Sequence, residues 1–327
     1  MSTMHSVHIN QHGDSSLLAY TEAPKPVIKP DQILVKVAYA GVNFIDTYQR
    51  SGLYPQKFPF TLGREGSGEV VEIGSEVQGI DFKVGDRVVY LAPESYAEYT
   101  AMSPASVAKL PDAISLEKAA AVLLQGLTAW TLVTQAYKVE KGDWVLIHAA
   151  AGGMGLQLCQ LCKQLGANVI GTTSTEAKAQ LAMAHGADYV VNYSNGYDEL
   201  VVKVNELTGN KGVHVAFDGV GASTFDVSLK VLRRLGSLIS FGNASGAVPP
   251  ISIMKLAEKN VRLMRPTLFN FFSTREEFVE LCQGLFKLVE DGKLDVAIHK
   301  VYPIQDVRQA HDDLEGRKTT GKLVLKI

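Results

Sequence analysis

The sequence predicts an α/β fold: a doubly wound, six-stranded parallel sheet inserted into a β-rich domain. Three observations predict it. The first third is a series of short β-prone runs punctuated by Gly and Asp. The middle alternates apolar strand runs with helical runs, the pattern of parallel strands joined by helices on both faces. The last stretch returns to short strands. At 327 residues the chain is long for one domain. The expected division is 1–122 with 267–327 as the β-rich domain, and 123–266 as the inserted α/β domain.

In order along the chain, ILVKVAYAGV (33–42), GSGEVVEIG (66–74) and RVVYLA (87–92) read as strands, with VGDRV (84–88) turning between two of them. SYAEYTAMSP (95–104) continues the pattern. The texture changes at Ser115, a good N-cap for the long Ala- and Leu-rich helix that follows. WVLIHA, NVIGTT, YVVNY, VHVAFDGV, SLISFG and VRLMRP then give six strands. The helical runs GLQLCQLCKQLG, EAKAQLAMAHG, DELVVKVNELTG and TFDVSLKVLRRLG separate the first five of them. These helices are expected to stop at Gly166, Gly186, Gly209 and Gly236. A T-x-x-E capping box, Thr274 to Glu277, opens an amphipathic helix near the end. IHKVYPI, the short helix DVRQAHDDLEGR and the strand KLVLKI complete the chain.

The totals narrow the function classes. Thirty-two basic against 34 acidic residues leave a net charge of −2, no electrostatic case for nucleic acid or a membrane surface. No apolar run approaches a bilayer span, and MSTMHSVHINQHG lacks the shape of a signal peptide. Three cysteines argue against a disulfide framework and for a reducing compartment, with the cytoplasm as the default.

HAAAGGMG (148–155) follows a strand and opens a helix, the context of a dinucleotide fingerprint. Ala150 stands at the first glycine place, with Gly152 and Gly155 at the other two. Gly152 is expected to let the backbone approach a pyrophosphate, and Gly155 to let helix and strand pack closely. The helix N-terminus then offers N–H groups to the phosphates. A fold that prefers NAD carries an acid at the end of the next strand. Here that end is Gly171, Thr172, Thr173 and Ser174, with Lys178 on the following first turn. Hydroxyls and a lysine favour a 2′-phosphate, so the reading is NADPH, with the dissenting Glu176 expected to face solvent. Cys159 and Cys162 have knuckle spacing but share one helix face and lack a second pair, so helix packing is the favoured reading. The other glycine cluster, GREGSGEVVEIG (63–74), runs into a strand and reads as a turn.

A β-rich domain around such a nucleotide domain resembles the medium-chain dehydrogenase/reductase superfamily over nearly the whole chain. Its zinc alcohol dehydrogenases carry a cysteine where AGVNFID has Asn43, and a G-H-E histidine where GRE has Arg64. AGVNFIDTYQRSGLYP, HAAAGGMGLQLCQ, GADYVVNY, SFGNASG and TTGKLVL look like the zinc-free quinone oxidoreductases of the zeta-crystallin type. The resemblance implies a doubly wound six-stranded parallel Rossmann sheet inserted into a GroES-like β-rich domain. It implies NADPH as cofactor, a quinone held in the cleft between the domains, no metal, and a homodimer built through the Rossmann domain. Asn43 and Tyr48 match residues lining the nicotinamide end, with Tyr48 a candidate proton relay and Asp46 an orienting residue. Thr128 matches a carboxamide contact, and Gly152, Gly153, Met154 and Gly155 the pyrophosphate loop. Ser174, Lys178 and Tyr193 match the adenosine-phosphate pocket. Phe241, Gly242 and Asn243 match the wall beside the nicotinamide ribose, and Arg317 and Lys322 match basic C-terminal contacts. The aromatic run LFNFFSTREEF (268–278) matches an interface or cleft wall.

The missing zinc suits the implied substrate. Ketone reduction creates an alkoxide that calls for a Lewis acid or a proton donor. Quinone reduction creates a delocalised aromatic anion that needs little such help. An enone or alkenal reductase of the same fold is the nearest alternative. Some relatives bind RNA or serve as lens structural proteins, an option the balanced charge disfavours.

Overall fold

A computed structural model describes residues 2–77, 79–194 and 196–327. The chain forms two compact units: Met1–Leu127 with Phe272–Gly292 and Ile298–Ile327, and Thr128–Phe271 with Lys293–Ala297.

The first unit contains β1 (Thr3–Ile9), β2 (Tyr20–Pro24), β3 (Ile33–Val42), α1 (Phe44–Ser51), β4 (Phe60–Thr61), β5 (Gly66–Ile73), β6 (Arg87–Tyr90), β7 (Tyr99–Met102), β8 (Val107–Lys109) and most of α2 (Leu116–Thr131). The second unit contains β9 (Trp144–Ile147), α3 (Gly153–Gln164), β10 (Asn168–Thr173), α4 (Glu176–Ala184), β11 (Tyr189–Asn192), α5 (Asp198–Thr208), β12 (Val213–Asp218), α6 (Phe225–Val231), β13 (Leu232–Ser240) and β14 (Arg262–Met264). The chain then returns to the first unit for α7 (Arg275–Glu290), β15 (Ile298–Pro303), α8 (Val307–Glu315) and β16 (Lys322–Lys326).

In the first unit β3 is the organising strand. It pairs antiparallel with β5, β7 and the late strand β16. The resulting order is β15-β16-β3-β5-β6-β8, with a smaller sheet β2-β1-β4 beside it. Alternate residues of β3 and β5 bury Ile33, Val35 and Val70 in one cluster with Val88 and Tyr90. A second cluster gathers Val7, Ile9, Tyr96, Tyr302 and Leu323, so residues from both ends of the chain share a core. α7 opens with the expected capping box, Thr274 Oγ1 accepting from Glu277 N and Glu277 Oε2 from Thr274 N at 3.1 Å.

The second unit is the doubly wound sheet, order β11-β10-β9-β12-β13-β14, with every neighbouring pair parallel. The order reverses between β9 and β12, and the loop after β9 stands at that switch point, where such sheets bind ligands. Leu146, Ile170, Leu200, Val204 and Leu238 pack the core on one face. Cys159 and Cys162 are both fully buried on α3, and burial pushes the Cys159 thiol up to about 12.

One helix is shorter than expected. The run 224–236 gives only α6, and β13 begins at Leu232, so Gly236 lies inside a strand and ends no helix. Pairing explains the change: Leu232 sits opposite Val213 of β12, the register then shifts, and Leu235 absorbs the irregularity at φ 62. Contrary to the expectation that no run approaches a bilayer span, the stretch Leu116–Ala136, α2 with the helical turn beyond it, is long and apolar enough to cross one by composition alone. Its buried share, 61%, makes it a core helix instead.

Candidate cofactor and acceptor site

The loop after β9 is built for close approach. Ala149 adopts φ 51, which turns the chain sharply out of the strand. Gly152 is the N-cap of α3 and supplies no side-chain cap, so the first turn of Gly153, Met154 and Gly155 keeps its N–H groups uncapped by any side chain. A Cβ at Gly155 would lie 2.4 Å from Ala149 O and 2.6 Å from the Ala150 backbone. That is the helix–strand packing the fingerprint requires. The alanine at the first fingerprint place also has a local reason. A Cβ at Gly171 would lie 2.7 Å from the Ala150 methyl, so a glycine on β10 makes room for it.

Ser174 and Tyr193 lie at the ends of the adjacent strands β10 and β11. The Ser174 carbonyl accepts from Ser194 Oγ at 2.8 Å, and Tyr193 stacks on Tyr197 with centroids 5.5 Å apart. Thr175 caps α4 by accepting from Lys178 N at 3.3 Å, which sets Lys178 on the first turn beside Ser174. Glu176 is exposed and accepts from Gln180 Nε2 along its own helix at 3.4 Å. These residues fit a 2′-phosphorylated nucleotide: a lysine and hydroxyl-bearing strand end, with the one acid turned outward.

Phe241, Gly242 and Asn243 follow β13. A Cβ at Gly242 would meet Gly219 O at 2.3 Å, and one at Gly219 would meet the Phe241 ring at 2.7 Å. Two glycines therefore bring the ends of β12 and β13 together. Arg265, past the end of β14, donates from Nη1 to the carbonyls of Ser240 at 3.1 Å and Gly242 at 3.0 Å. Sequence reasoning passed over Gly219 and Arg265; the arginine closing RLMRP at the sixth strand's end was the available signal.

In the first unit Asn43 is the N-cap of α1, and its N–H donates to Asp46 Oδ2 at 2.8 Å. Its side chain is committed inward. Nδ2 donates to Glu65 Oε1 at 2.7 Å and to Gly41 O at 3.4 Å. Oδ1 accepts from Lys322 Nζ at 2.6 Å and from Gln125 Nε2 at 3.4 Å. Lys322 Nζ also reaches Glu65 Oε1 at 2.5 Å, and Glu65 Oε2 accepts from Leu124 N at 2.7 Å. Glu65 is 0% exposed and Lys322 1% exposed.

Two of the expected cofactor contacts already meet protein partners. The Lys322 ammonium, expected as a basic C-terminal contact, is enclosed in an ion pair with Glu65. Asn43, expected to position the ring or acceptor, has both ends of its amide bonded to protein. It holds the start of α1. Glu65 was missed because the GRE tripeptide drew attention only to its middle residue. The carboxylate fits because residue 41 is glycine: a Cβ there would lie 2.1 Å from Glu65 Oε1.

Tyr48 is nearly buried, edge-on to Tyr54 at 5.3 Å and tilted against Phe44 at 6.1 Å. Asp46 is fully buried; its Oδ2 also accepts from Tyr96 Oη at 2.8 Å, and burial pushes its carboxyl up to about 6. Arg64 is half-buried, and burial lowers its pKa. Thr128 lies half-buried on the last turn of α2, its carbonyl accepting from Thr131 Oγ1. Arg317 is exposed at φ 55, in the turn that leads to β16.

The chain resembles known proteins over its full length. The zinc-binding dehydrogenase family matches residues 153–284, and the alcohol dehydrogenase GroES-like domain matches 29–112. A probable quinone oxidoreductase of Schizosaccharomyces pombe is 43% identical over 322 residues, covering 98% of this chain and 96% of that one. A mycobacterial protein solved with NADPH superposes with TM-score 0.96 at 43% identity, covering 99% of this chain and 100% of that one. The Escherichia coli quinone oxidoreductase, also solved with NADPH, gives TM-score 0.95 at 40% identity, with 100% of both chains covered.

The zinc in the first family's description does not fit these residues. Arg64 brings a cation where a ligand would be needed, Asn43 brings no thiolate, and the Glu65 carboxylate is already paired with an ammonium. Among the described residues no group of three or more His, Cys, Asp or Glu is arranged to hold a metal ion. With relatives above 40% identity from end to end and Asn43 and Arg64 at the zinc-ligand positions, the chain belongs to the zinc-free quinone oxidoreductases of the medium-chain dehydrogenase/reductase superfamily.

Proposed function

We propose that this protein is an NADPH-dependent quinone oxidoreductase, and the end of β10 is the observation that carries the cofactor. A carboxylate there would repel a 2′-phosphate; Thr172, Thr173 and Ser174 stand in its place, followed by Lys178. NADPH, when bound, supplies a hydride. The uncapped first turn of α3 receives the pyrophosphate, with Gly152, Gly153 and Met154 allowing backbone approach. Ser174, Lys178 and Tyr193 hold the adenosine end. Phe241, Gly242 and Asn243 form the wall for the nicotinamide ribose, and Thr128 contacts the carboxamide. Tyr48 supplies an aromatic, hydroxyl-bearing surface for a flat acceptor. Asn43 acts behind it, by fixing the start of α1. Arg317 is the remaining basic candidate from the C-terminal segment.

Lys178→Ala is expected to raise KM for NADPH about tenfold or more, the value of a charge-assisted contact, and to leave KM for NADH unchanged. Steady-state oxidation of both nucleotides with 1,4-naphthoquinone, an alkenal and a simple ketone tests the whole reading. Turnover of the ketone, loss of activity with EDTA, or equal use of NADH by the wild-type protein would overturn it.

The partner is a second copy, and the place is the outer edge of the second unit's sheet. β14 ends that sheet with all three residues exposed, Leu263 and Met264 at 37% each. An unpaired apolar edge of this kind is a template for pairing with its own symmetry mate. Leu263→Lys is expected to convert a dimer to a monomer in sedimentation equilibrium; a wild-type protein that sediments as a monomer removes the proposal. The cytoplasm is the compartment we assign, on the three free buried cysteines.

A further inference from the structure

A buried polar chain runs through the second unit. His148, at 3% exposure, immediately follows β9 and precedes the strained Ala149. Its Nδ1 lies 3.1 Å from Thr172 Oγ1, and its Nε2 lies 3.0 Å from Ser228 Oγ. Ser228 Oγ lies 2.8 Å from Thr224 O and 3.1 Å from Asp218 Oδ2. Asp218 is itself 0% exposed, with Oδ1 accepting from Val220 N at 2.8 Å, from Gly221 N at 3.0 Å and from Thr224 Oγ1 at 2.8 Å.

These contacts leave one proton arrangement. Ser228 has a single hydroxyl proton and two neighbours, Thr224 O and Asp218 Oδ2, that can only accept. If it donated to His148, both would face its oxygen with no proton between. The Ser228 oxygen must therefore accept, so His148 carries its proton on Nε2 and its Nδ1 accepts from the Thr172 hydroxyl. Thr172 Oγ1 in turn accepts from Ala149 N at 3.4 Å. The hydrogen bonds then run in one direction: Ala149 N–H to Thr172 Oγ1, Thr172 O–H to His148 Nδ1, and His148 Nε2–H to the Ser228 oxygen, whose own proton faces Thr224 O and the Asp218 carboxylate.

That chain spans the nucleotide-facing end of the sheet. It begins on the phosphate loop, crosses β10 and ends on β12, whose Asp218 carbonyl also accepts from Phe241 N at 2.8 Å. His148 also meets Tyr197 edge-on at 6.0 Å, and Tyr197 stacks on Tyr193. A non-glycine residue at φ 51 persists only where its surroundings hold it there. We propose that His148 is a positioning residue for the nucleotide: it holds the strained phosphate loop in register with the ends of β10 and β12. The inference rests on the NADPH reading above.

The test is NADPH affinity by calorimetry, with steady-state kinetics, on His148→Leu, His148→Gln and Ser228→Ala. His148→Leu is expected to weaken NADPH binding about tenfold or more, with kcat at saturating NADPH and KM for quinone within about twofold of wild type. Glutamine carries both a donor and an acceptor, and His148→Gln is expected to recover about half of that loss on a logarithmic scale. A purely structural role would lower active protein without this split between KM and kcat and without the rescue. Should His148→Leu not fold, Ser228→Ala, which removes the acceptor for Nε2–H together with the hydroxyl proton that faces Thr224 O and Asp218 Oδ2, is expected to weaken NADPH binding about threefold to tenfold. A folded His148→Leu or Ser228→Ala protein with wild-type NADPH affinity overturns the inference. A wild-type protein that does not bind NADPH overturns the cofactor reading beneath it.

Discussion

Lys322→Met is expected to lower folding stability by about 3–5 kcal/mol, read as a drop in the urea midpoint at unchanged slope. The lysine bonds Glu65 at 2.5 Å and Asn43 at 2.6 Å from a position 1% exposed. Methionine fills the volume but leaves the Glu65 carboxylate in the interior with its cation gone. Breaking a buried pair is far more damaging than replacing it, because the remaining charge is neither solvated nor paired. The double variant Lys322→Met with Glu65→Gln is therefore expected to regain more than half of the loss. Its amide oxygen can still accept from Leu124 N, and no unpaired charge is left in the interior. A single variant as stable as wild type, or a double variant as poor as the single, would show that the pair is not the organising element of this interior.

Gly155→Val is expected to act on the other half of the protein. Its Cβ would sit 2.4 Å from Ala149 O and 2.6 Å from both Ala150 Cα and Ala150 C. All three are backbone atoms of the phosphate loop, so no side-chain rotation relieves the contact. Either α3 lifts away from β9 or the loop changes shape. The stability loss expected of such overpacking is about 1–3 kcal/mol. The functional loss is larger: a shift of about 1 Å in the pyrophosphate cradle lowers kcat/KM for NADPH on the order of 100-fold. KM for quinone should hold near wild type, since the first unit is untouched. Titration of the variant with NADPH, followed by fluorescence, checks this; unaltered affinity would remove Gly155 from the cofactor site.

The contrast between Gly155 and Lys322 shows what each kind of observation can reach. Gly155 is legible because it belongs to a local pattern, a strand followed by spaced glycines and a helix, and backbone geometry alone demands it. The chemistry of the next strand's end is legible for the same reason, since Ser174 and Lys178 are read by their distance from that loop. Lys322 belongs to no local pattern. Its partner Asn43 is 279 positions away, and only the pairing of β16 with β3 brings them together. A lysine near a chain end looks like an exposed charge until a sheet closes over it. Gly236 failed in the opposite sense: its local stop signal was real, but pairing with β12 outweighed it and made a strand of the last turn.

By itself, then, the amino-acid order determined the alternation that makes a doubly wound sheet, the phosphate loop, the preference for a phosphorylated ribose, and the replacement of the zinc ligands at Asn43 and Arg64. All of these are set by residue type and by spacing over a few tens of positions, where backbone period and chain reach decide the outcome. The tertiary structure alone decided what Asn43 meets inside the first unit, an enclosed Glu65–Lys322 pair admitted by the glycine at 41. It alone decided that Asn43 faces inward, and that His148 ties the phosphate loop to the end of β12. The physical reason is desolvation. Whether a charged or polar group is available to a ligand depends on which distant segment buries it and which partner meets it there, and that is settled only when the sheets have closed.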